Sequence, residues 1–174
     1  MSWSRRNLCR HALGLFAAGS LTGLSACGFQ PLHASGENKV SAADSLAAVQ
    51  IDPMRDRVGL KMHNFLRDRL NVNGQPAVPD YRLKVELTET LSELGVRRDE
   101  TATRANLKME ARFFLVSVAG QNAVLVGKSS STTSYDILEN PYATTVSEDD
   151  ARERALREVA DDIQTRLVVY FSKT

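Results

Sequence analysis

Tyr81, Leu83, Val85 and Leu87 alternate with Arg82, Lys84, Glu86 and Thr88. A period of two places one set on each face of a strand, and the pattern runs on to about Val96. A second alternation begins at Asn106, setting Leu107, Met109, Ala111 and Phe113 against Lys108, Glu110 and Arg112. It turns continuously apolar through Phe114, Leu115 and Val116, as in a strand covered on both faces, and ends near Val118. Ala119-Gly120-Gln121-Asn122 reads as a tight connection to a third strand over 123–138, carrying Val124, Val126, Tyr135 and Ile137. The hydroxyl-rich run 129–134 fits a solvated, edge-like stretch of that strand, with a flexible loop as the alternative. Three consecutive strands with short connections make an antiparallel meander.

The flanks follow other rules. Val49 and Ile51 alternate with Gln50 and Asp52 before Pro53, a short strand within 47–54. Val58, Met62, Phe65, Leu66 and Leu70 form one stripe of an amphipathic helix over about 56–71, which Asn71, Asn73-Gly74 and Pro76 terminate. A last helix is expected from Ser147, a good N-cap, with Glu148, Asp149 and Asp150 at the positive end of its dipole. Its apolar stripe is Ala151, Ala155, Leu156, Val159, Ile163, Leu167 and Tyr170. The order β-α-β-β-β-α predicts an α+β domain: a four-stranded mixed sheet containing the meander, with two amphipathic helices packed on one face. Leu83, Val85, Phe113, Val159 and Ile163 should share its core.

The first residues differ from this body. Arg5, Arg6 and Arg10 stand without an acidic residue ahead of a short apolar stretch over 12–24. A basic region followed by such a stretch is the pattern of a secretory signal peptide. The stretch is too short and too rich in Gly and Ser for a membrane span of about 20 residues. Arg5-Arg6 do not complete a twin-arginine pattern. The run ends in Leu24-Ser25-Ala26-Cys27, which resembles the bacterial lipobox, whose cysteine thiolate takes up the diacylglycerol. The expected organisation is a signal peptide over 1–26, a lipidated tether over 27–46 and one domain over 47–174. Cleavage takes three of the 22 basic side chains and none of the 21 acidic ones, leaving 148 of 174 residues and a small negative balance. Several acyl chains on Cys27 give stable anchoring where one is marginal. Gly28, rather than Asp, follows the cysteine, which by resemblance to Gram-negative lipoproteins predicts the periplasmic face of the outer membrane.

Composition removes most chemistry. Near-neutral charge argues against a broadly nucleic-acid-binding surface. The two cysteines, Cys9 and Cys27, precede the domain, so no disulfide framework or zinc cage is available to it. Beyond the signal only His33 and His63 could join a metal site, and three or four ligands are usually needed. No G-x-S-x-G elbow, Walker A loop or G-x-G-x-x-G fingerprint occurs. Asp149-Asp150 and Asp161-Asp162 are adjacent on a helix, where neighbours diverge by about 100°, so neither forms a convergent dyad. The expectation is a protein without enzymatic activity, metal or cofactor, carrying only the covalent lipid on Cys27. A carboxylate-based periplasmic hydrolase would instead show turnover by the soluble domain.

Specific words narrow this further. Cys27-Gly28-Phe29-Gln30-Pro31-Leu32 resembles the mature start of the LptE family, lipopolysaccharide-assembly lipoproteins, in its alphaproteobacterial form. Ser134-Tyr135-Asp136-Ile137, Pro141-Tyr142-Ala143-Thr144, Glu148-Asp149-Asp150-Ala151 and the helix through Ile163 to Tyr170-Phe171 carry the second half of the resemblance. His33 stands where the family pattern has an aromatic residue. The resemblance implies a subunit that plugs an LptD-like outer-membrane β-barrel, assists its assembly and helps deliver lipopolysaccharide to the outer leaflet. Tyr135, Pro141 and Tyr142 are the candidate barrel contacts; a plain strand end and loop fits the same residues. An auxiliary lipoprotein of an ABC-type lipid transport system is the alternative, separable by which membrane's complex it co-purifies with.

Lipopolysaccharide carries phosphates, which Arg and Lys bind through charge-assisted hydrogen bonds. The densest basic group beyond the signal is Arg97, Arg98 and Arg104, flanking the turn between the first two meander strands, with Lys128 as a candidate neighbour in the third. Asp99 and Glu100 lie between the arginines, so a solvated hairpin tip with exposed ion pairs is the competing account.

Overall fold

The computed structural model describes residues 42–96 and 102–173. Cys27, Arg97 and Arg98 lie outside them. The chain runs α1 (Ala42–Ala47), β1 (Val49–Ile51), α2 (Asp56–Leu70), β2 (Tyr81–Val96), β3 (Ala102–Ser117), β4 (Ala123–Asp136) and α3 (Pro141–Lys173). The strands form one sheet in the order β1-β2-β3-β4. β1 is parallel to β2, with Val49 beside Tyr81 and Ile51 beside Leu83. The meander is antiparallel: Tyr81 faces Ser117 and Val85 faces Phe113, while Phe113 faces Gly127 and Arg104 faces Asp136. This is the expected mixed four-stranded α+β sheet, with helices against one face.

Odd-numbered positions of β2 and β3 supply the sheet's half of the core. Leu83, Leu107, Met109, Phe113 and Leu115 are fully buried against Met62 and Leu66 of α2 and Leu156, Val159, Ile163 and Leu167 of α3. Leu83, Val85, Phe113, Val159 and Ile163 thus share one core. Burial of both helix stripes outweighs the modest propensity of either sequence for helix on its own.

Four features depart from the periodicity. First, α1 occupies the end of the stretch expected as tether, and its Leu46 is buried in the core. One turn and a half is too short to display a helical period. Second, α3 starts at Pro141 rather than at Ser147. Asn140 is the effective cap: its Oδ1 accepts the Tyr142 N–H at 2.9 Å, and its carbonyl accepts from Thr144 N–H at 3.1 Å. Proline at the first helical position loses no hydrogen bond and brings a pre-set φ, so the Asn-Pro pair starts the helix before Ser147 can. Third, the apolar run of β3 is not covered on both faces. Phe113 and Leu115 are buried, but Phe114 and Val116 are half-exposed on the outer face, where Lys84 Nζ lies 5.8 Å from the Phe114 ring. Fourth, the hydroxyl run of β4 is two-sided. Ser130, Thr132 and Ser134 are solvated, whereas Ser129, Ser131 and Thr133 are buried under α3. Thr133 Oγ1 donates to the Ala151 carbonyl at 2.9 Å, and Ser131 Oγ donates to Glu158.

Candidate interaction surfaces

The face of the sheet away from the helices is built from even-numbered positions of β2, β3 and β4. Their alternation is broken only by the register slip at Leu115/Val116. At its centre Arg112 lies across β3–β4 from Lys128 and across β2–β3 from Glu86, while Glu110 lies across from Ser130 and Thr88. These residues line a shallow depression of about 520 Å³. Lys84 Nζ stands 2.9 Å from Glu86 Oε1. The hydrogen bond from Lys84 holds the Glu86 carboxyl below the usual range, its charge adding to the effect, and reciprocally raises the lysine. Arg112 and Lys128 make no ion pair among the described residues. Like charges directly opposed across strands are mutually unfavourable. Glu86, opposite Arg112, offsets part of that repulsion, and an anion placed between Arg112 and Lys128 would relieve the rest.

The second surface lies where α3 begins, at the end of the sheet remote from β1. Arg104 Nε donates to Asp136 Oδ1 at 3.0 Å in an exposed cross-strand pair. The side chains of Leu91, Leu94, Leu138, Tyr142 and Val146 are all exposed here, Tyr142 at 77%. Tyr135 points to the helix side and is half-buried against the core. Burial raises its phenol pKa, and the charge of Glu148 acts in the same direction. Behind these residues Arg152 makes a bidentate pair with Glu89 at 2.8 and 3.0 Å, and also binds Glu148 and Asp149. Its side chain is only 15% exposed. The guanidinium pKa is raised further, chiefly by the Glu89 hydrogen bond against an opposing desolvation effect. This network ties the start of α3 to β2, 63 residues away in the chain.

The sequence-derived candidates therefore divide. Tyr135, near the end of β4, and Pro141 and Tyr142, at the start of α3, lie at one end of the domain, Tyr135 half-buried and Tyr142 exposed. Arg104 lies at the same end, but Lys128 does not join it. Lys128 pairs in register with Arg112, eight residues along β3 from Arg104, or about 26 Å of strand. The sequence suggested Lys128 only as a neighbour of the arginines across the meander. Its true neighbours Arg112, Glu86 and Glu110 required the register, which a repeat of two does not encode.

Comparison with known proteins agrees with this architecture. A family model described as LptE, lipopolysaccharide-assembly, matches residues 45–167. An uncharacterised protein of Rickettsia prowazekii (strain Madrid E) is 26% identical over 148 residues, covering 85% of this chain and 90% of that protein. Among solved structures, a lipoprotein of Caulobacter crescentus CB15 superposes with a TM-score of 0.64 at 22% identity, covering 76% of this chain and 97% of that one. Rare lipoprotein B from Shewanella oneidensis gives 0.58 at 14% identity, with coverages of 72% and 95%. At these identities the two structures speak for the fold. The family match spans most of the chain, both helices of the core and all four strands, and on that ground the chain belongs to the LptE family of lipopolysaccharide-assembly proteins.

Proposed function

We propose that the chain is an outer-membrane lipoprotein subunit of the lipopolysaccharide transport machinery. In this reading an acylated Cys27 holds it at the periplasmic face. The domain sits as a plug in an LptD-like β-barrel, assists that barrel's assembly and helps insert lipopolysaccharide into the outer leaflet. The observation that carries the reading is the family match over 45–167. The geometry supports it. The helices leave one whole face of the sheet bare, along strands of 14 to 16 residues, and that face is polar over most of its length, with Phe114, Val116 and Val126 as an apolar patch towards the end of β3. The lumen of an outer-membrane barrel is polar as well, so such a face complements a barrel wall in a way an apolar one would not. The exposed Leu94, Leu138 and Tyr142 at the α3 end would supply apolar anchors at one margin of the contact.

Lipopolysaccharide phosphates would meet Arg112 with Lys128 on the open face and Arg104 at the other end of β3, with Arg97 and Arg98, outside the described residues, as further candidates from the sequence. Affinity purification of the chain from detergent-solubilised outer membranes tests the central claim. Recovery of a barrel in stoichiometric amount is the expected result. Recovery as a free monomer, with barrel maturation unaffected by depletion, refutes it.

A further inference from the structure

β4 is an edge of the sheet, with β3 on one side and no strand on the other among the described residues. The Ile137 N–H donates to the Thr103 carbonyl at 3.0 Å, which continues the β3–β4 register by one pair and sets its phase. Odd-numbered residues of β4 therefore direct their backbone groups to β3, and even-numbered ones aim N–H and C=O at the open edge. Arg154 Nη2 meets one of these outward groups, the Ser134 carbonyl, in an exposed contact of 3.3 Å. Native edges are ordinarily blunted by charge, proline or a bulge. Between 129 and 135 this edge has none of them: the residues are Ser-Ser-Ser-Thr-Thr-Ser-Tyr, in unbroken register. The opposite edge differs, because β1 covers the start of β2, and Lys84, Glu86, Glu89 and Glu93 follow along it.

We infer that the β4 edge pairs with the β4 edge of a second copy of this chain, antiparallel about a two-fold axis at Thr132. Lys128 and Asp136 bracket the hydroxyl run at equal distances from Thr132, with opposite charge. When Thr132 stands opposite Thr132, Lys128 stands opposite Asp136 of the second copy, and symmetry makes that pair twice. Ser130 then faces Ser134 and Ser131 faces Thr133, hydroxyl pairs of the kind that stabilise sheets. Even-numbered residues meet with their outward backbone groups, so the pairs from 128 to 136 exchange about ten hydrogen bonds. The neighbouring registers of the same phase set Lys128 opposite Ser134 or Leu138 and remove both ion pairs. Lys128 lies beside Arg112 in its own sheet, so the second copy supplies the counter-ion it lacks there. Asp136 accepts from Arg104 through Oδ1, and its Oδ2 remains for the lysine. One strand from each copy is a small contact beside the about 1,600 Å² of a standard interface, so the pairing is reversible. It belongs to chains not yet enclosed in a barrel, and it does not depend on the barrel reading.

The test is made in cells on the full chain, produced in excess. An introduced thiol is oxidised in place, and disulfide-linked dimer is measured as the excess over the parent chain, which subtracts any bridge through Cys27. Thr132→Cys puts two thiols on the axis, with Cα atoms about 5.5 Å apart and within disulfide reach. Ser130→Cys leaves them about 14 Å apart. Bridging at 132, and severalfold less at 130, is the expected result. Lys128→Asp or Asp136→Lys, each combined with Thr132→Cys, sets like charges opposite one another twice and should lower bridging severalfold. Co-expression of the two variants under different tags restores opposite charges at both positions, and a mixed dimer at the level of Thr132→Cys alone is expected. The comparison of 132 with 130 stands by itself if a charge variant accumulates poorly. No excess at 132, equal bridging at 130, indifference to the charge changes, or a bridge from 132 to another protein in place of a second copy overturns the inference.

Discussion

Single residues show how tightly the sheet is filled. Gly127 faces Phe113 in the β3–β4 register, and a Cβ built on it would stand 2.4 Å from Cζ of that ring. In an open strand Gly→Ala is favourable by about 0.5–1 kcal/mol. Here the ring occupies the space, so Gly127→Ala should instead cost about 1–3 kcal/mol, read from the urea midpoint. Leu83, fully buried between β1 and β3, should lose about 2–5 kcal/mol on truncation to Ala. Tyr135 makes a different prediction. Burial, aided by Glu148, raises its phenol pKa above the ordinary value near 10, so the folded state keeps its proton after the unfolded chain has begun to lose it. Stability linked to this group is therefore complete below about pH 10 and falls as pH rises through the folded pKa. Tyr135→Phe should flatten that alkaline decline in an unfolding series across pH.

Between elements, the decisive contact is electrostatic. Removing Arg152 leaves Glu89 and Glu148, both less than one-third exposed, without their cation. Breaking a fully buried pair costs about 3–5 kcal/mol, and partial exposure here reduces the expected loss from Arg152→Met to about 1–3 kcal/mol. Combining it with Glu89→Gln should recover part of that loss, since the β2 carboxylate that Arg152 neutralised is then gone too. A double-mutant cycle by chemical denaturation measures the coupling. This contact marks the boundary of what the sequence discloses. The strands were legible because Tyr81, Leu83, Val85 and Leu87 repeat every second residue, and α2 because Val58, Met62 and Leu66 repeat on a helical period. The Glu89–Arg152 pair was not, because it joins elements whose relative placement no local period records. The early start of α3 was readable in principle from Asn140-Pro141, but Ser147 with its three acidic followers is the stronger local signal. The same division holds for the candidate site. The place of Lys128 in the third meander strand follows from the sequence, and its pairing with Arg112 follows only from register.

At the scale of the whole molecule the proposed anchor and the fold make one system. Cys27→Ala should leave unprocessed precursor, seen as a band heavier than the mature chain, and should shift the domain out of the outer-membrane fraction. Normal cleavage with an unmodified cysteine would contradict the anchor. That anchor bears on the first two elements of the domain. The meander and α3 are contiguous in sequence and enclose most of the core. α1 and β1, by contrast, join it through a three-residue parallel ladder, the Asn71 side chain, the N–H groups of Asp80 and Tyr81 on the Ala48 carbonyl, and the buried Leu46, Val49 and Ile51. Any pull on the lipid is thus borne first by those contacts. If they yield, residues 42–55 come free as slack, about 45 Å of extra leash, while the three long strands and both long helices stay closed. The fold would then behave as a mechanical fuse, lengthening its own tether under load before the domain itself unfolds.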